Sequence, residues 1–165
     1  MWIVAKIKKR EIEIFKKELI ERMGKDLEFY YPKIECHQYI GNKVKVSEKL
    51  ALENYVFCYH KNFTGKNISR LKFIKGLNYF LDGCYQDQKD IINFITYCKR
   101  YENKNGYLTQ GFFKNIISKK AQFLSGPFTN MMFEIIEKQK NKLKIIVGNV
   151  VTTISDKNNY LYRPV

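Results

Sequence analysis

The chain has 165 residues, and its 30 lysines and arginines against 16 aspartates and glutamates give a formal net charge of +14. A hydrophobic content of 45% argues against a disordered chain, and no apolar run approaches the roughly 20 residues that span a bilayer. The charge fits either a phosphate-rich partner such as nucleic acid or the lysine-rich bias of an A/T-rich genome.

The first hundred residues alternate short apolar runs with amphipathic segments. Residues 2–7 predict a strand, and residues 11–23 predict a helix because apolar residues recur at three- and four-residue steps. An extended segment over 27–40 and an alternating run from Lys43 predict a hairpin across the Gly41-Asn42 turn. The later elements are a strand over 55–59, a helix over 67–75, a strand over 78–81 and a helix from Asp87 to about Arg100. The order β-α-β-β-α-β, followed by a further helix, predicts an α+β fold of the ferredoxin-like type.

Polar residues interrupt this pattern after residue 101. We therefore expect a first domain over 1–104, a linker over 105–111 and a small second domain over 112–165. The second domain allows two structures. A Gly-Pro turn, two apolar runs and many β-branched residues favour a small β-barrel. Good helix formers within Met131–Gln139 favour a helical alternative, with helices over Thr129–Gln139 and Phe112–Lys120 and with Ile116 and Ile117 on the apolar side.

The start of the chain lacks the basic and long apolar segments of a signal peptide, so we expect a cytoplasmic protein. Its four cysteines form no CxxC pair and are expected to be free thiols: Cys36, Cys58, Cys84 and Cys98. The Cys36-His37 and Cys58-Tyr59-His60 segments make a zinc site conceivable. Small core cysteines and exposed histidines are the simpler interpretation.

Sequence motifs of catalysis are missing. There is no phosphate-binding loop, no G-x-G-x-x-G segment and no nucleophile with an evident base. We therefore expect a binding protein rather than an enzyme, with no cofactor and no metal.

Two groups of residues suggest binding surfaces. The large apolar side chains Trp2, Leu52, Tyr55 and Phe57 lie on or beside the two most strand-like runs, where they form either a packed core or a depression for a partner helix. The basic residues Lys8, Lys9 and Arg10 at the first corner, with Lys43 and Lys45 in the hairpin, form either a solvated surface or phosphate contacts.

Several motifs in the same order resemble the NusG family of transcription elongation factors, and more closely its RfaH-type paralogs. They are Trp2-Ile3-Val4 before a basic corner and helix, Val46-Ser47-Glu48 ahead of Asn54-Tyr55-Val56-Phe57, Leu77–Gly83, and the turn Gly126-Pro127-Phe128. In this family that turn opens the C-terminal KOW domain, an SH3-like β-barrel that in RfaH-type proteins also exists as a helical hairpin. Glu53 replaces a usual proline, and Gly148-Asn149-Val150 replaces a usual Phe-Gly-Arg.

The resemblance implies an antitermination factor that suppresses pausing or termination. Its N-terminal NGN domain would bind the clamp helices of the largest RNA polymerase subunit through Trp2, Tyr55 and Phe57, with Leu52 at the edge. Lys8 and Lys9, with Arg10 adjacent, would contact non-template DNA. The KOW domain would bind termination factor Rho or a small-subunit ribosomal protein. We expect a monomer with no membrane partner. The other hypothesis is a basic RNA- or ribosome-associated binding module.

Overall fold

The structure is a computed structural model that describes residues 1–40, 43–113, 119–155 and 160–165. Its elements in chain order are β1 (Trp2–Ile7), α1 (Ile12–Met23), β2 (Glu28–Tyr30), β3 (Lys33–Ile40), β4 (Lys43–Leu50), β5 (Tyr55–Tyr59), α2 (Gly65–Arg70), β6 (Leu77–Phe80), α3 (Gln88–Arg100), α4 (Gln110–Phe113), β7 (Lys120–Phe123), β8 (Met132–Lys138), β9 (Lys142–Val147), β10 (Val150–Ser155) and β11 (Tyr162–Pro164). The chain is thus a mixed α/β protein. None of the described helices is both long and apolar enough to cross a membrane.

The chain divides into two compact units. The first comprises Met1–Pro32 and Leu50–Arg100, and the second comprises Lys33–Lys49 and Tyr101–Val165. The sequence predicts domain boundaries at residues 104 and 111. The two units are instead defined by which residues contact one another, so the predicted boundaries stay a prediction. Within the second unit, Leu108 is buried and its N–H donates to the Lys33 carbonyl oxygen at 2.8 Å.

The first unit is built on a four-stranded antiparallel sheet in the order β2-β5-β1-β6. Helix α1 covers one face of this sheet, because its apolar residues recur every three or four positions and this spacing places Phe15 and Leu19 in the core. The ring centroids of Phe15 and of Phe29 in β2 are 6.5 Å apart. Helix α1 ends at Gly24, whose φ of 95° suits glycine and whose N–H donates to the Ile20 carbonyl oxygen. Helix α3 lies over the opposite face, where Phe94 stacks on Phe57.

Several predicted element boundaries are wrong for local reasons. The extended segment over 27–40 is two strands, because Pro32 lies between β2 and β3 and has no N–H to donate to a ladder. The helix predicted over 67–75 is α2, which spans only Gly65–Arg70. It starts earlier because the Thr64 hydroxyl accepts the Asn67 N–H and caps it, and it ends before the predicted residue 75. The strand predicted over 78–81 is β6, one residue earlier. The predicted Gly41-Asn42 turn lies outside the described residues.

The second unit contains the β3–β4 hairpin and a five-stranded antiparallel sheet in the order β10-β9-β8-β7-β11. The core of this sheet consists of Ala121, Phe123, Phe133, Leu143, Ile145, Ile154 and Tyr162. Of the two structures open for residues 129–139, the strand is the one observed over β8. Pairing with β7 on one side and β9 on the other satisfies the backbone of β8 across the sheet. Ile116 and Ile117 of the helical alternative lie outside the described residues.

Candidate interaction surface

An aromatic row crosses one face of the first sheet. The antiparallel register pairs Trp2 with Tyr59, Val4 with Phe57 and Lys6 with Tyr55. Since alternate residues of a strand point the same way, these six side chains share a face. Tyr30 of β2 pairs with Phe57 on the other side of β5, so we define the aromatic face by Trp2, Tyr30, Tyr55, Phe57 and Tyr59.

The centre of the aromatic face is closed by the protein itself. Phe57 is only 6% exposed, stacks on Phe94 at 5.6 Å and lies 6.2 Å from Tyr30. Of the four predicted partner-binding residues, Phe57 is therefore a core residue in this conformation. It supports the neighbouring rings rather than offering surface of its own.

The ends of the aromatic face remain partly open. Trp2 is half-buried and meets Tyr59 at 5.3 Å between centroids, while Tyr55 is half-buried at the other end of β5. Leu52 is also half-buried, in the turn that leads into β5. All three pack against the core of the first unit. Core and surface are thus not exclusive here, because each side chain packs on one side and is accessible on the other.

Gln88 fixes the position of Trp2 although sequence patterns did not single it out. The Trp2 N–H donates to Gln88 Oε1 at 2.8 Å, and Gln88 Nε2 donates to the Trp2 carbonyl oxygen at 2.7 Å. The Gln88 amide thereby takes the place of a strand partner beyond the end of β6. No local periodicity could reveal this pair, whose members are 86 residues apart.

A polar group occupies the Tyr55 end of the aromatic face. Lys6 Nζ donates to the Tyr55 hydroxyl oxygen at 3.2 Å and lies 4.7 Å from the ring centroid. Hydrogen bonds from Tyr79 and from Lys6 lower the pKa of Tyr55 below its ordinary value. The hydrogen bond to Tyr55 raises the pKa values of Lys6 and Tyr79. The sequence does not single out Lys6 or Tyr79, because only the sheet register brings them to Tyr55.

This arrangement predicts an early step in an alkaline titration. Because its pKa is lowered, Tyr55 ionises at a lower pH than an ordinary tyrosine. The first rise in tyrosinate absorbance near 295 nm should therefore come from Tyr55. Tyr55→Phe should remove this first step, and Lys6→Met should move it to higher pH because the cation is gone. Tyr85→Phe, at an exposed tyrosine outside the aromatic face, should leave it in place. An unchanged first step in Tyr55→Phe would contradict the arrangement.

The predicted basic residues lie on exposed surfaces. Lys8, Lys9 and Arg10 are exposed in the turn between β1 and α1, where Arg10 has a φ of 66°, and none forms an ion pair within the described part of the chain. Lys43 and Lys45 are exposed on β4 of the second unit. These positions are open to a ligand, and the roles of the five residues in binding stay a prediction.

The Gly126-Pro127-Phe128 turn is anchored within the second unit. The Gly126 N–H donates to the His37 carbonyl oxygen at 3.1 Å, and its φ of 86° favours glycine. Phe128 is 40% exposed and lies 5.8 Å from the buried Phe123 ring. The turn therefore joins the β3–β4 hairpin to the five-stranded sheet.

The conceivable zinc ligands do not form one group. Cys36 and Cys58 lie on β3 and β5, which belong to different sheets, and no metal-binding cluster of three or more ligands occurs among the described residues. All four thiols are free and buried, and burial raises the pKa of Cys58. The prediction that both histidines are exposed is wrong for His60, which is 2% exposed. His37 is partly open and contacts Glu35.

No protein-family model matches the sequence. No curated protein matches it either. The similar solved structures include NusG and Spt5. One is a structure described as domain interaction in Thermotoga maritima NusG, which is 12% identical over 97% of this chain and 95% of that chain, with a TM-score of 0.35. The others are conformations B and A of an MjSpt4:Spt5 complex. Each is 12% identical over 96% of this chain, covers 94% and 95% of the respective matched chain, and has a TM-score of 0.31.

Proposed function

We propose that this protein is a cytoplasmic, non-enzymatic transcription elongation factor of the NusG family, of the RfaH type, that binds RNA polymerase and suppresses pausing or termination. The observation that carries the proposal is the aromatic face. Trp2 and Tyr55, which match the family's motifs, share one sheet face and each keeps part of its side chain accessible.

The topology of each unit supports the proposal. Numbered by their order within the first unit, its four strands follow the sequence 2-3-1-4, all antiparallel, which is the strand order of a ferredoxin-like sheet. The five antiparallel strands of the second unit suit an SH3-like barrel of the KOW type.

The proposed action uses binding energy rather than chemistry. A helix of the polymerase clamp would bury the open sides of Trp2 and Tyr55, with Leu52 at the edge, since aromatic residues packed at the centre of an interface supply most of its affinity. Lys8 and Lys9, with Arg10 beside them, would bind non-template DNA through its phosphates. Lys43 and Lys45 are further candidates for nucleic-acid contact. The second unit would recruit Rho or a small-subunit ribosomal protein.

Binding to core RNA polymerase tests the proposal directly. Trp2→Ala and Tyr55→Ala should each weaken the affinity about thirtyfold or more, because anchors of this kind contribute about 2 kcal/mol or more. Tyr85→Ala is the matched control, because it removes an aromatic ring that is 78% exposed and lies outside the aromatic face. A general NusG should compete for the same site.

Circular dichroism must first show that the variants are folded. Folded Trp2→Ala and Tyr55→Ala proteins with unchanged polymerase affinity would refute the proposed surface. A chain with no polymerase affinity but a steeply salt-dependent affinity for RNA would instead be the basic RNA- or ribosome-associated module.

A further inference from the structure

A second candidate site lies in the first unit, where α1 ends near the loop between β5 and α2. It is an open cavity of about 370 Å³. The polar side chains that line it are Arg22, His60, Asn62, Asn67 and Arg70. No carboxylate of the described residues lines the cavity, so its wall carries two fixed positive charges and several neutral hydrogen-bonding groups. None of these residues belongs to the aromatic face.

His60 is the buried part of this wall. Its side chain is 2% exposed, and its Nδ1 accepts the Asn62 N–H at 3.2 Å. A neutral imidazole that accepts at Nδ1 carries its proton on Nε2, which makes Nε2 a donor. Nε2 makes no hydrogen bond within the residues that the structure describes. Because His60 lines the cavity, this N–H is available to donate to a ligand acceptor there.

The two arginines are incompletely neutralised. Arg22 is 3.7 Å from Glu18, but Glu18 also pairs with Lys75 at 3.8 Å. Arg70 forms no ion pair in the described part of the chain. An anion in the cavity would therefore meet the guanidinium group of Arg22, whose carboxylate partner is shared with Lys75, and that of Arg70, which has no carboxylate partner in the described part of the chain. Asn67 holds the loop in place, because its Nδ2 donates to the Asn62 carbonyl oxygen at 2.9 Å.

We propose that this cavity binds a phosphate monoester. One guanidinium group can donate two parallel hydrogen bonds to phosphate oxygens. A tetrahedral phosphate offers enough acceptors for two arginines and the His60 Nε2–H together. The volume exceeds that of a phosphate ion and leaves room for the esterified group. Nucleotides and 5′-phosphorylated nucleic-acid ends both carry this group. The site is separate from the aromatic face and does not rest on the function proposed for that face.

Calorimetric titration of the full chain tests the site with inorganic phosphate, a nucleoside 5′-monophosphate, and a short oligonucleotide with and without a 5′-phosphate. We expect both monoesters to bind, and the oligonucleotide to lose affinity without its 5′-phosphate. Arg70→Gln should weaken binding about tenfold or more, as loss of a charged hydrogen bond does. Lys66→Gln is the matched control: it removes one positive charge from the same helix, at a residue that does not line the cavity, and should change affinity less than about twofold.

Nitrogen-15 NMR of the two histidines supplies an independent readout. The ligand should shift His60 Nε2 and leave His37 unchanged, because only His60 lines the cavity. Equal losses in Arg70→Gln and Lys66→Gln, or a ligand that leaves His60 unshifted, would overturn the site and indicate attraction to net charge alone. Binding of inorganic phosphate without either monoester would overturn the monoester assignment.

Discussion

Phe123→Ala is expected to lower the free energy of unfolding of the second unit by about 3 to 5 kcal/mol, the usual cost of removing a buried phenylalanine ring. Phe123 is fully buried, stacks on Phe133 at 4.1 Å between centroids and lies 6.0 Å from Tyr160. Its removal leaves a cavity between neighbours held by the sheet, so little of the lost packing can be recovered. Urea unfolding followed by far-UV circular dichroism measures the loss.

Phe128→Ala is the matched control for this effect. Phe128 is 40% exposed in the adjacent turn and touches the same cluster only at its edge. Its replacement should cost about 1 kcal/mol or less, as expected for a site away from the core. Equal losses in the two variants would show that Phe123 is not the centre of this core. Trp2 is the only tryptophan, so its fluorescence reports the first unit separately.

Gly76→Ala is expected to destabilise the first unit by about 2 to 5 kcal/mol, by adding backbone strain to a steric clash. Gly76 has a φ of 79°, which disfavours any side chain. A Cβ atom there would lie 2.9 Å from both the Glu11 carbonyl oxygen and the Phe15 nitrogen. These are backbone atoms at the start of α1, so the helix itself must move. Urea unfolding followed by Trp2 fluorescence measures the change.

Gly106→Ala separates strain from clash. Gly106 has the same φ of 79°, but a Cβ atom there would meet nothing within 4 Å. Its replacement should cost only the strain of the left-handed conformation, about 1 to 2 kcal/mol. If Gly76→Ala costs no more than Gly106→Ala, then the close approach to α1 is relieved at no cost and the prediction fails.

Local pattern predicted the elements that bury one continuous face. Helix α1 and helix α3 were found within one residue at their start, because their apolar residues recur at helical spacing. Strands β1 and β5 were found with their observed bounds from their apolar, β-branched and aromatic residues. The predicted bounds differ from the observed ones where a single residue sets the end of an element. Pro32 separates β2 from β3, and Thr64 caps the start of α2.

The candidate sites depended on contacts that sequence spacing does not encode. Trp2 and Tyr55 were found as large apolar residues on strand-like runs. Lys6 and Tyr79, which set the chemistry of Tyr55, become visible only through the register of three strands. The sequence predicts His60 on the surface, yet it lines the cavity with Arg70 of the next helix and with Arg22 of α1, which comes much earlier in the chain.

The sequence by itself determined the net charge, the main helices and strands of the first unit, and the strand-like runs that carry Trp2, Tyr55 and Phe57, because each follows from composition or from the spacing of neighbouring residues. Only the tertiary structure decided that residues 132–138 form a strand, that the β3–β4 hairpin belongs to the second unit, and that Phe57 is closed off by Phe94. The physical reason is the same in each case, because the deciding contacts lie outside the local run of residues. They are the ladders from β8 to β7 and β9, the hydrogen bond from Gly126 to His37, and the stacking of Phe94 on Phe57.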